Sequence, residues 1–158
     1  MIEALEKQSI PTQYIKILRE LYKDFTTIIS PFYEEIKIDV KRGVRQGDTI
    51  SPKLFTTALE DAMRGLEWDN DGVKIDGRQL HHLRFADDIV LITSSISQAE
   101  RMLADFDNAC GKVGLRLNHT KTMFMKNGFV DDAILNISEC SSFVYLGREI
   151  NMMTWLRS

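Results

Sequence analysis

Two aspartates stand side by side in the run Leu83-Arg84-Phe85-Ala86-Asp87-Asp88-Ile89-Val90-Leu91. Adjacent carboxylates repel each other and resist burial, while their apolar neighbours favour it. A hairpin meets both demands. The sequence predicts strands over residues 80–85 and 89–93, with Ala86-Asp87-Asp88 at the tip. The second strand is apolar on both faces, which predicts a place inside a sheet. Two readings of the tip remain open on these residues. Aspartate is favoured in turns for its bonds to its own backbone. A divalent cation such as Mg²⁺, which takes oxygen ligands, is the other common answer to crowded carboxylates.

The surrounding pattern is a mixture of helices and hairpins. Ile15, Leu18, Leu21, Tyr22 and Phe25 recur at helical spacing after Pro11, predicting a helix over residues 12–24. Strands are expected at 26–30 and 34–40, joined by Ser30-Pro31. In the second, Ile36, Ile38 and Val40 alternate with Lys37 and Asp39, predicting one buried and one wet face. Ser51-Pro52 predicts a helix start with Ser51 as cap, followed by the stripe Phe55, Ala58, Leu59, Ala62 and Leu66. Asp76-Gly77 is a strong hairpin turn. Ser97-Gln98-Ala99-Glu100 reads as a capping box for a helix carrying Met102, Leu103, Phe106, Cys110 and Val113. Short strands are expected at 120–125 and 143–146. Helices and hairpins without strict βα alternation define an α+β class.

Length and composition narrow the function classes. The chain has 158 residues, 44% hydrophobic and 27% charged, as in an ordinary globular domain. Its net charge of −3 excludes a uniformly basic nucleic-acid binder. Charge is nevertheless local. Lys41, Arg42, Arg45 and Lys53 against Asp48 leave residues 41–53 at +3. Lys112, Arg116, Lys121 and Lys126 give residues 111–126 a charge of +4. Such segments steer polyanions to one face. Cys110 and Cys140 form no metal-ligand spacing or disulfide framework, and no secretory signal or membrane-length apolar run is present. An intracellular location, cytoplasm or nucleus, is expected.

A second motif precedes the aspartate pair. Gly43-Val44-Arg45-Gln46-Gly47-Asp48-Thr49-Ile50-Ser51-Pro52-Lys53-Leu54-Phe55 places glycines beside a glutamine just before a helix. Backbone can approach a ligand closely at such glycines. Together with the aspartate segment, and with Gly114-Leu115-Arg116-Leu117-Asn118-His119-Thr120-Lys121-Thr122 and Phe143-Val144-Tyr145-Leu146-Gly147 further on, this order resembles the reverse transcriptase family. The resemblance is greatest to the enzymes of non-LTR retrotransposons.

The resemblance implies a polymerase palm of antiparallel hairpins with helices on one face. Asp87 and Asp88 would be catalytic residues and ligands of Mg²⁺. Two such ions about 4 Å apart activate a primer 3′-hydroxyl and stabilise departing pyrophosphate. Arg45, Gln46, Gly47 and Phe85 would contact nucleotide and template. Lys121 would sit near the leaving phosphates, and Tyr145, Leu146 and Gly147 would grip the primer. RNA template, DNA primer and dNTP would be the partners, with no membrane involved. Residues 1–40 would lead into the palm, 41–126 would form its core, and 127–158 would carry the primer grip and the start of a thumb.

One family element is missing from the sequence. The metal site needs a further aspartate on an earlier strand. Asp24 and Asp39 are the aspartates available before residue 43, and neither has that context. The chain is therefore expected to begin just after the first catalytic strand, without fingers and with little thumb, and to be inactive alone. The rival expectation is a non-catalytic retroelement remnant or RNA-binding scaffold. A phosphoacceptor domain is disfavoured by the hairpins, and a calcium loop at Asp69 fails at its fifth and twelfth positions, Val73 and Leu80. Strand alternation would put His81 and His82 on opposite faces, out of reach of each other.

Overall fold

The computed structural model describes residues 2–40, 47–128 and 135–152. They form two compact units, Met1–Asp61 and Ala62–Ser158. The architecture is mixed, with four α-helices and small two-stranded sheets among the described residues, in keeping with the α+β expectation.

The first unit is built on two helices, α1 (Ile2–Lys7) and α2 (Thr12–Tyr22). Pro11 precedes α2, where its fixed φ costs nothing. The helical spacing read from the sequence buries Ile15 against Leu5 and Leu54, with Ile2, Ile10, Leu18 and Tyr22 around them. Two ion pairs span the surface, Lys7 with Asp61 and Arg19 with Glu6, each at 2.8 Å. The Arg19–Glu6 pair, exposed on both sides, adds little stability.

Strands β1 (Thr26–Ile29) and β2 (Ile36–Asp39) form the expected antiparallel hairpin, with Ile29 opposite Ile36 and Thr27 opposite Ile38. Its expected buried face is not found. Every residue of β2 is exposed, and so are Ile28 and Ile29. Alternation separates two faces, but it does not supply a layer to cover either. The connection carries Phe32 and Tyr33 at positive φ, both almost fully in solvent.

Helix α3 (Ser51–Arg64) begins one residue earlier than expected. The Leu54 N–H donates to the Ile50 carbonyl, so Ser51 is a helical residue and not the cap. The Asp48 carboxylate accepts from the Ile50 N–H at 2.9 Å and shapes the entry instead. The buried Ser51 hydroxyl lies 3.4 Å from the Tyr22 hydroxyl.

In the second unit, β3 (Val73–Ile75) and β4 (Arg78–Leu80) close through Asp76-Gly77. Both turn residues have positive φ, as a type I′ turn requires. Strands β5 (His82–Phe85) and β6 (Asp88–Leu91) form the next hairpin. Helix α4 (Ile96–Lys112) packs against β6 and buries Met102, Phe106 and Cys110. The cap stands two residues before the expected Ser97. Ser95 is the N-cap, and its hydroxyl accepts from the Gln98 N–H at 3.3 Å.

The unit closes with β7 (Met123–Phe124), β8 (Ser138–Glu139), β9 (Ser142–Tyr145) and β10 (Arg148–Asn151). β9 and β10 form an antiparallel hairpin, whereas β7 and β8 pair in parallel, outside the hairpin pattern that the resemblance implies. The β6 strand has β5 as its ladder partner and joins no larger sheet among the described residues. Its Ile89, Val90 and Leu91 are half-buried, so the interior position expected for it is not found. No helix among the described residues is long and apolar enough to cross a membrane.

Candidate active site

The β5–β6 register is Phe85 opposite Asp88, Arg84 opposite Ile89, Leu83 opposite Val90 and His82 opposite Leu91. The turn therefore has two residues, Ala86 and Asp87, and Asp88 belongs to the strand. This corrects the three-residue tip expected from the sequence. Ala86 has φ 52°, a left-handed value that alanine adopts only at a cost. A short strand pair ending in this turn holds both carboxylates out of the apolar layer. Asp87, Asp88 and Phe85 are all exposed. Among the described residues, no group of three or more His, Cys, Asp or Glu side chains could hold a metal ion.

Tyr145 ends β9, and Leu146-Gly147 forms the turn into β10. Leu146 and Gly147 have φ 50° and 78°, so this is again a type I′ geometry. Leucine is an unusual choice there, and its side chain is half in solvent. Lys121 lies in a turn, where its N–H donates to the Asn118 carbonyl at 3.0 Å, and its side chain is exposed. Gly47 has φ 85° and belongs to the first unit. Arg45 and Gln46 lie outside the described residues.

A polar network joining α4 to the loop before β3 is absent from the sequence reading. Asp71, only 5% exposed, accepts from both terminal nitrogens of Arg101 and from Gln98 Nε2 at 3.0 Å. Gln98 Oε1 in turn accepts from the Gly72 and Ser94 N–H groups, each at 3.1 Å. Gln79 donates to the Asp71 carbonyl. The Arg101 bonds, chief among these effects, hold the Asp71 carboxyl below the ordinary carboxylate range. In the sequence, Asp71 is merely one acid in a negative stretch. The detectable signal was Gln98 and Arg101 on one face of a helix, three residues apart.

His81 and His82 also depart from expectation. His81 falls between β4 and β5, outside either strand, so alternation does not apply to the pair. Their Nδ1 atoms are 2.7 Å apart, and the ring of Trp68 meets each of them edgewise. Trp68 is buried, and its Nε1–H has no acceptor among the described residues.

A family model for reverse transcriptase (RNA-dependent DNA polymerase) matches residues 1–150. The chain belongs to the reverse transcriptase family. Its type is that of the non-LTR retrotransposons, as its relatives show. It is 28% identical over 126 residues to the Pol polyprotein of the type-1 retrotransposable element R2 of Bradysia coprophila, covering 77% of this chain and 14% of that protein. To the corresponding polyprotein of Popillia japonica it is 30% identical over 123 residues, covering 76% of this chain and 17% of that protein. A transposon-derived protein of Caenorhabditis elegans, F52C9.6, is 35% identical over 88 residues, half of this chain and 32% of its own length. The chain thus spans a third or less of each of these relatives.

Proposed function

We propose that residues 41–126 supply the palm core of a polymerase for RNA-templated DNA synthesis. The observation that carries this reading is the exposed Asp87–Asp88 pair on a two-residue turn, with Phe85 directly opposite Asp88. Carboxylate oxygens suit Mg²⁺. Asp87 and Asp88 are the residues that would hold it, and the ion would supply Lewis-acid activation of a primer hydroxyl and neutralise charge on a departing pyrophosphate. Phe85 offers an apolar face to the primer end. Lys121 offers a cation to the leaving phosphates, and Gly47 an approach for the nucleotide beside Arg45 and Gln46.

Strain supports the assignment. Ala86 and Leu146 both hold left-handed φ where glycine or asparagine fits better. Such outliers gather at functional turns. The exposed Leu146, with Tyr145 and Gly147, is the apolar contact for a primer strand.

Two carboxylates do not fix two ions in line, so the chain alone does not polymerise. Extension of oligo(dT) on poly(rA) with Mg²⁺ tests this, and robust extension overturns it. Metal binding is read separately. Mn²⁺ should broaden the amide signals of residues 85–89 in the wild type and not in the Asp87→Asn/Asp88→Asn variant. Equal broadening in both proteins sinks the ligand assignment.

The second reading, an RNA-binding scaffold, rests on the exposed Lys112, Arg116 and Lys121. It predicts RNA affinity that falls steeply with salt and survives loss of both aspartates.

A further inference from the structure

We propose that His81 and His82 form a proton-controlled latch at the junction of the β3–β4 and β5–β6 hairpins. It is closed while one Nδ1 donates to the other and open once both carry a proton.

The geometry sets this logic. A neutral imidazole has one N–H and one lone pair. At 2.7 Å, one Nδ1 must donate and the other accept. A single added proton is tolerated, because a donor and an acceptor remain. A second leaves two donors face to face and two positive charges on rings whose centroids are 4.7 Å apart. The contact cannot survive it.

Among the described residues, the charged neighbours of the pair act in both directions. Arg84, on β5, acts on His82 with the same sign. From the loop before β3, Asp71 acts on His81, but Arg101 and Gln98 of α4 already hold its carboxylate. Trp68 contributes ring edges, 6.1 Å from each imidazole. Burial, followed by His81 and Arg84, lowers the His82 pKa from 6.5. A histidine with a depressed folded pKa favours the fold above its unfolded value. That contribution is lost as pH falls through the folded value.

The latch is placed to matter. Leu80 makes the last pairing of β3–β4 with Val73. The His81 carbonyl accepts from the Ile92 N–H at 2.9 Å, beyond the last pairing of β5–β6. Opening therefore releases the base of the hairpin that carries Asp87 and Asp88 at its other end.

Imidazole ¹⁵N spectra of the chain from pH 8 to pH 4, with hydrogen exchange at Ile92, test the proposal. The pair should take up two protons in separate steps. Protection of Ile92, corrected for intrinsic exchange, should fall about tenfold or more with the second. In His81→Asn the pH dependence at Ile92 should vanish, and His82→Gln provides the same reading if that variant does not fold. Independent single-site uptake by the two rings overturns the proposal. So does Ile92 protection that is unchanged through the second step, and both readings need only the wild type.

Discussion

Arg101 grips the Asp71 carboxylate with both terminal nitrogens, one to each oxygen, and joins α4 to the loop before β3. Asp71 is almost fully buried, whereas Arg101 is half in solvent. The bonds favour the ionised carboxylate, so its folded pKa lies below the ordinary carboxylate range. Its contribution is present above the unfolded value and is lost as pH falls through the folded one. Asp71→Asn should therefore lower the melting temperature by several degrees at pH 7 and less at pH 3. Thermal melts between those values check this. A decrement independent of pH would count against the ion pair as the cause.

Gly72 should tolerate no side chain. Its φ is 89°, and an added Cβ would run into the Leu80 carbonyl oxygen and lie 2.6 Å from His81 Cα. Backbone on that side cannot swing away. Gly72→Ala is expected to cost more than about 2 kcal/mol, from left-handed strain plus overpacking. Gly77 has φ 77° with nothing within 4 Å, so Gly77→Ala should show the strain alone, about 1–2 kcal/mol. Urea titrations of the two variants separate the terms.

Leu146→Asn should stabilise the protein by about 1 kcal/mol, because Asn-Gly suits a type I′ turn. If the exposed leucine serves the primer strand, the same variant should bind a primer–template duplex more weakly. A gain in stability with unchanged duplex binding would remove Leu146 from the grip.

The two cysteines should differ in reactivity. Burial, with a smaller effect from Asp107, pushes the Cys110 thiol up to about 11. Cys140 is less buried, although its pKa is also raised. A disulfide reagent at pH 8 should modify Cys140 slowly and leave Cys110 untouched until urea is added. Equal labelling of the native protein would contradict the packing of α4.

Much of this was legible because it is local. Asp76-Gly77 specifies its turn through two residues, and the stripe Met102, Phe106 and Cys110 specifies a helix face through one period. The aspartate pair could be read for the same reason. The capping of α4 shows where local reading fails. Ser95 to Gln98 and Ser97 to Glu100 both satisfy the capping pattern. Gln98 settles between them by bonding Asp71 and Gly72, which lie 27 and 26 residues earlier. The His81–His82 contact was missed because it depends on where β4 stops, set by pairing with β3. The wet faces of β1 and β2 were missed because alternation describes a strand and not its neighbours.

The self-sufficiency of the strand pairs also bears on how the chain orders itself. Among the described residues all five ladders join consecutive strands, and four of them close across short connections. Closing so few residues forfeits little chain entropy. Each ribbon can zip on the microsecond scale of an isolated hairpin, without waiting for distant partners. Among the described residues no ladder joins one ribbon to another, so the outer N–H and C=O rows are not paired in a sheet with a neighbouring ribbon. Those rows offer a template on which further strands can be laid.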